Sequence, residues 1–147
     1  LDRLAIQNFC AYICKDIINT QDVQHEDVIT DKLRLNQILI SIVGNAIKFT
    51  PVGGDTIIHL VERPCSTSGY AAYEFSIKDT GIGIPAAEQG RIFERFYRVD
   101  KSHSKAVGGT GLGLSIVKHG AALHHATISV SSEPEQGTEI TLTFPAA

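Results

Sequence analysis

Between Asp79 and Gly113 the chain sets two glycine-rich turns, D79-T-G-I-G-I-P85 and G108-G-T-G-L-G113, on either side of a basic, aromatic segment, I92-F-E-R-F-Y-R-V-D100. Glycine at this density argues against a continuous helix or strand and leaves backbone N–H groups free to turn outward. A fold for this chain must therefore carry a loop able to close over a polyphosphate. Arg91, Arg95, Arg98, Lys101 and Lys105 crowd the same region, although the whole chain has a net charge of −3. That balance provides no global field for nucleic acid or an anionic membrane. A basic run is usually a solvated face; lying between glycine turns, this one is read as phosphate-directed.

The 147 residues suffice for one domain with a core, and residues 1–147 are read as a single unit. Apolar residues make up 43% and charged residues 20%, as in soluble globular chains. No apolar run reaches the roughly 18–20 residues of a membrane span, and no signal peptide is visible. Three cysteines, an odd number, make no disulfide framework, so a reducing cytoplasm is expected. Cys10 and Cys14 are read as small buried residues sharing a helix face. The start at Leu1 and the absence of Met suggest an excised fragment.

Periodicity predicts an amphipathic helix over residues 4–17, from Ile6, Phe9, Cys10, Ile13 and Ile17, followed by a polar stretch from Asn19 to Asp27. The pattern is firmer over Lys32 to Phe49. There Leu35, Ile38, Leu39, Ile42, Val43, Ala46 and Phe49 form a buried stripe, and Ser41, Asn45 and Lys48 share a second, polar face. Pro51 and Gly53-Gly54 end that helix. Strands are predicted over Thr56 to Glu62, around Tyr73, Phe75 and Ile77, over Thr127 to Ser131 and over Thr138 to Phe144, with a helix over Leu112 to Leu123. The sum is an α+β fold: a two-layer sandwich of a mixed sheet with helices on one face.

Adenine recognition needs an acceptor for the exocyclic amine, and Asp79 at a strand end can supply it, with Gly81 and Gly83 letting a base approach the backbone. Phosphates need outward N–H groups, which Gly109, Thr110, Gly111, Leu112 and Gly113 provide where a helix opens. A hard cation such as Mg²⁺ takes oxygen ligands, few of them from protein, and the Asn45 carbonyl would serve. Lys48, one turn on, would neutralise phosphate charge. No P-loop signature is present, and no glycine run has the strand–turn–helix context of a dinucleotide fold.

The segments L35-N-Q-I-L-I-S-I-V-G-N-A-I-K-F-T50, D79-T-G-I-G-I-P85, I92-F-E-R-F-Y-R-V-D100 and G109-T-G-L-G-L-S-I-V-K118 resemble, in order, the N, G1, F and G2 boxes of bacterial sensor histidine kinases. The likeness covers about residues 24 to 145 and concerns the ATP-binding, catalytic domain of that family within the GHKL superfamily. It implies the Bergerat α/β sandwich, ATP or ADP and Mg²⁺ as ligands, and phosphoryl transfer to a histidine on a separate dimerisation and phosphoacceptor domain, then to a response regulator. Asn45 resembles the Mg²⁺ ligand, Lys48 a phosphate contact and Asp79 the adenine-reading carboxylate, with Gly81, Gly83 and Ile84 shaping its pocket. Phe93 and Phe96 resemble the anchors of a lid over residues 97–110. Arg98, with Lys101 nearby, resembles the lid arginine that reaches the γ-phosphate. Gly109, Thr110, Gly111, Leu112 and Gly113 match the second glycine box, and Thr138 is similar to the threonine at the adenine end. The isolated chain is expected to be a monomer, cytoplasmic in a parent that can be membrane-anchored.

Ser41 departs from the family, which usually carries a second Asn one turn before Asn45. Related ATPases place a water-activating Glu there, and a serine hydroxyl is too poor a base for that task, which argues against a hydrolase. Residues 1–20 also match the pattern poorly. Residues 24–62 resemble hybrid-type kinases and 91–145 phosphate-sensing-type kinases, so a chimeric or redesigned, non-catalytic ATP/ADP-binding module is the alternative reading. His25-Glu26 lacks the phosphoacceptor context, and the other histidines are read as structural or solvated.

Overall fold

The computed structural model describes residues 2–5, 18–19, 27–63, 72–99 and 108–145. Its longest element is helix α1 (Lys32–Phe49). Asp31 caps the N-terminus, its carboxylate accepting the Arg34 N–H at 3.2 Å, and Thr50 closes the other end, its hydroxyl donating to the Ala46 carbonyl at 2.6 Å. Pro51 cannot continue the helix. Ile38, Leu39, Ile42, Val43 and Ala46 are buried, as their spacing predicts, whereas Phe49 lies at the rim of the stripe and is 36% exposed.

The core forms where α1 meets a five-stranded sheet of order β2-β4-β5-β7-β6, built from β2 (Ile18–Asn19), β4 (Thr56–Arg63), β5 (Ala72–Asp79), β6 (Thr127–Glu133) and β7 (Gly137–Phe144). Strand β2 pairs parallel to β4 and all other neighbours are antiparallel, so the sheet is mixed. Its register aligns Ile58, Ile77, Ile140 and Val130 in one row and Leu60, Phe75, Leu142 and Ile128 in the next. Because side chains alternate along a strand, both rows fall on one face. That face packs against α1 and α3 (Gly113–Leu123), whose Val117 and Ala121 join the same core. A short helix, α2 (Ala86–Gln89), precedes α3 in the chain. Burying each large aliphatic side chain contributes about 1.5–3 kcal/mol. The result is the expected two-layer α+β arrangement.

The N-terminal region departs from its reading. Leu4 and Ala5 belong to a strand, β1 (Asp2–Ala5), which pairs antiparallel with β3 (Asp27–Thr30), and the rest of the predicted helix over 4–17, with Cys10 and Cys14, lies outside the described residues. The stretch read as polar contains Asn19 of β2 and runs into β3. Strands of two to four residues are too short for alternation to reveal. No helix among the described residues is long and apolar enough to cross a membrane.

Candidate nucleotide site

The end of β5 delivers Asp79 into a cleft of about 690 Å³ bounded by α1, the turn after β5 and the start of α3. Asp79 is only 8% exposed. Its Oδ1 accepts the Gly81 N–H at 2.8 Å and the Thr138 N–H at 3.2 Å. Burial pushes the carboxyl above the usual Asp range, and the two backbone donors offset part of that shift. Ile77 and Ile140 supply apolar lining beside it.

Two backbone crossings set this geometry. Gly83, at φ 70°, lies where a Cβ would fall inside the Glu133 carbonyl, and Gly137, at φ 99°, where a Cβ would fall inside the Asp79 carbonyl. Only glycine allows such close passage. The turn carrying Gly81 and Gly83 is thus pressed against the β6–β7 hairpin, and the Glu135 N–H bonds the Ile82 carbonyl at 2.8 Å. Ser132 and Gln89 complete the junction. The Ser132 hydroxyl accepts the Ile84 N–H at 2.8 Å, while Gln89 Nε2 donates to the Ile84 and Ser132 carbonyls at 2.9 and 2.8 Å.

A second group of polar residues comes from α1. Ser41, Asn45 and Lys48 line the cleft from one face of the helix, as their spacing predicts. The Asn45 carboxamide faces Gly113 at the start of α3 and has no hydrogen-bond partner among the described residues. Lys48 Nζ donates to the Gly108 carbonyl and stands 5.2 Å from the centroid of the Phe49 ring. Helix α3 opens without a side-chain cap and without an acidic residue in its first turn, so its own first turn does not offset the positive end of its dipole.

Among the sequence-derived candidates, Asp79, Gly83, Ile84 and Thr138 line the cleft on one side and Asn45, Lys48, Gly109, Thr110, Gly111 and Gly113 on the other. Arg98 lines it as well, next to Tyr97, over whose ring the Arg91 guanidinium sits at 4.2 Å. Gly81, Phe93, Phe96 and Leu112 are not part of the lining. Gly81 acts through its N–H on Asp79, and Leu112 precedes α3, its N–H bonding the Thr110 hydroxyl at 3.3 Å. Phe96 differs from an anchoring aromatic: the residue is 72% exposed, and its tie is the backbone bond from its N–H to the Gly111 carbonyl at 2.9 Å. Lys101, with residues 100–107, lies outside the described residues. Ser132, Gln89 and Tyr97 are not among the candidates; each is an ordinary strand, helix or loop residue until the tertiary structure brings it to the cleft or its supporting junction.

Among the described residues, no group of three or more His, Cys, Asp or Glu side chains could hold a metal. The donor set here is one carboxamide, that of Asn45, which suits a cation that arrives with oxygens of its own.

The sequence profile of the family described as histidine kinase-, DNA gyrase B-, and HSP90-like ATPase matches residues 30–147. The sensor-like histidine kinase SenX3 of Mycolicibacterium smegmatis is 43% identical over 118 residues, covering 80% of this chain and 29% of that protein. The chain thus spans less than a third of that relative's length. Among solved structures, the mycobacterial sensor histidine kinase MprB matches with a TM-score of 0.70 at 26% identity, covering 99% of this chain and 97% of that one. Full-length ShkA, solved in complex with AMPPNP, matches with a TM-score of 0.62 at 33% identity, over 82% of this chain and 23% of that one. Family profile, four boxes in order and a shared sandwich agree: the chain belongs to the histidine kinase-, DNA gyrase B- and HSP90-like ATPases, as an ATP-binding domain of the sensor-histidine-kinase type.

Proposed function

We propose that the cleft binds ATP as its magnesium complex and presents the γ-phosphate to a histidine on a phosphoacceptor domain, from which a response regulator takes it. The observation that carries this reading is the pairing of a buried, backbone-bonded carboxylate with an uncapped helix N-terminus in one cleft. Asp79 would accept the 6-amino group of adenine, with Gly81, Gly83, Ile84 and Thr138 shaping the slot. The open N–H groups at Gly113, helped by Gly109, Thr110, Gly111 and Leu112, would receive the polyphosphate.

Asn45 fits Mg²⁺ as a single oxygen donor; the ion would neutralise phosphate charge when bound. Lys48 would exchange a carbonyl partner for a phosphate oxygen in this scheme, and Arg98 and Lys101 would meet the terminal phosphate from the lid, which Phe93 would anchor by its ring and Phe96 by its backbone bond to Gly111. The chain's own part in transfer is therefore to position the nucleotide and stabilise its charge, which is most of what a protein can do for phosphoryl transfer. The ADP complex would be the product state.

Calorimetric titration of Mg-ATP and Mg-ADP tests this directly. Binding lost in Asp79→Asn, and metal-dependent tightening lost in Asn45→Ala, are the expected results. No binding by a folded wild-type chain would sink the proposal. Ser41, which lines the cleft where the family usually carries Asn, favours a second reading, a nucleotide-binding module without transfer. Adding a histidine-kinase phosphoacceptor domain with radiolabelled ATP separates the two: label on its histidine supports transfer, and binding without label supports the module. Phosphate release without any acceptor would instead point to a hydrolase, against which Ser41 speaks.

A further inference from the structure

We propose that Ser132 is a positioning residue for base recognition, fixing the Thr138 hydroxyl as a hydrogen-bond acceptor toward the base. This inference rests on the reading of the cleft as an ATP site.

Proton bookkeeping at one oxygen carries the argument. A serine hydroxyl has one proton to give and two lone pairs to receive with. Ser132 Oγ lies 2.8 Å from the Ile84 N–H, which can only donate, and 2.9 Å from the Gly137 carbonyl, which can only accept. Its third neighbour is Thr138 Oγ1, at 2.9 Å, where either oxygen could be the donor. The Ser132 proton goes to Gly137 and one lone pair takes the Ile84 N–H. All three bonds form together only if Thr138 donates its proton to the remaining lone pair. Thr138 then has no proton for the cleft, and its oxygen offers lone pairs alone.

The scaffold around Ser132 holds that arrangement. Ser132 and Thr138 are direct cross-strand partners in the β6–β7 register. Gln89 bridges the Ser132 and Ile84 carbonyls, so neither the hairpin nor the turn can shift alone. The Thr138 N–H is committed to Asp79 Oδ1. A base entering here therefore meets two acceptors, the Asp79 carboxylate and the Thr138 oxygen. An amino group satisfies them, whereas a carbonyl in its place leaves acceptors facing one another, the costly case in a desolvated pocket. On this view Ser132 selects for 6-amino purines without touching the base.

The test compares Mg-ATP with Mg-ITP, whose base carries a carbonyl in place of the amine, by calorimetry on the wild-type chain and its variants. In Ser132→Ala the Thr138 proton is released and can turn toward a carbonyl, so the ratio of ATP to ITP affinity should fall about tenfold. Ser132→Thr keeps the hydroxyl and should keep the ratio. Should Ser132→Ala not fold by circular dichroism, Ser132→Cys carries the same test, because a thiol fills the space but accepts the Thr138 proton only weakly.

A purely structural role would weaken both nucleotides equally. An unchanged ratio in Ser132→Ala or Ser132→Cys, or a ratio lost in Ser132→Thr as well, overturns the inference. If that happens while Asp79→Asn still loses ATP, the ATP site stands and only the role of Ser132 falls. If the folded wild-type chain binds no ATP, both fall together.

Discussion

Asp79 is buried and takes two backbone N–H bonds, within a junction that also engages Ser132, Gln89 and Thr138; Asn45, lining the same cleft from α1, has no hydrogen-bond partner among the described residues. The Lys48 ammonium nearby holds a loop carbonyl rather than a folded network. The Asp79 group is thus assembled by folding itself, before any ligand arrives, which would lower the ordering cost of binding there. On the α1 side the Asn45 carboxamide stays open among the described residues, as would suit a group that takes up a hydrated cation and phosphate oxygens in the proposed complex. Rigidity has a cost on the Asp79 side. Burying its carboxylate raises the pKa, so ionising this group opposes folding.

The largest effect should come from filling the backbone crossing beside Asp79. Gly83→Ala places a methyl against the Glu133 backbone at a left-handed φ, where no side-chain rotation can relieve it. A loss of about 3 kcal/mol or more in urea unfolding, with loss of nucleotide binding, is expected. Gly109→Ala also sits at positive φ, but its methyl meets only the end of the Lys48 side chain, which can move away. It should cost roughly 1–2 kcal/mol. Equal losses at the two glycines would erase the contrast between a rigid and an adaptable side of the cleft.

Asp79→Asn should weaken ATP by about 30-fold or more, the scale of a charged acceptor lost from a buried site. Yet the melting temperature should hold or rise, because Asn keeps an acceptor for Gly81 and Thr138 without the cost of a buried charge. A variant that loses binding only by unfolding would contradict this. Asn45→Ala should leave unfolding free energy within about 0.5 kcal/mol, while removing the tightening of ATP by Mg²⁺, read as the ratio of affinities with and without the metal.

The smallest effect is a pH dependence. Since the folded pKa of Asp79 is raised, the folded state holds its proton more tightly than the unfolded state does, and stability from this group falls as pH rises from 3.8, its unperturbed value, through the folded value. The stability advantage of Asp79→Asn should therefore be full above the raised folded value and close below 3.8, where both states are protonated. A gap that widens on acidification would reverse the assignment.

Much of the site was legible along the chain where local geometry determines the outcome. The i, i+4, i+7 spacing of Ser41, Asn45 and Lys48 places them on one face of α1 wherever that helix packs. Alternation through Tyr73, Phe75 and Ile77 ends at Asp79 whatever lies beside the strand. Other features had no local signature. Ser132 reaches Thr138 through the β6–β7 register and Ile84 through a turn nearly fifty residues upstream. Phe49 continues the apolar spacing of α1 yet ends at the rim, and Phe96 is held through its backbone rather than its ring. In β1, β2 and β3 the elements span two to four residues, at most two periods of strand alternation, too few to stand out along the chain.

The order of the boxes, the two faces of α1, the strand ending in a carboxylate and the glycine turns follow from the sequence alone, because each depends on residues within a few positions of one another. Tertiary structure decided which hydroxyl faces which, that Gly83 and Gly137 mark backbone crossings rather than ordinary turns, and that Asp79 is buried. Those outcomes depend on strands and turns far apart in the chain, and no local spacing encodes the distance between them.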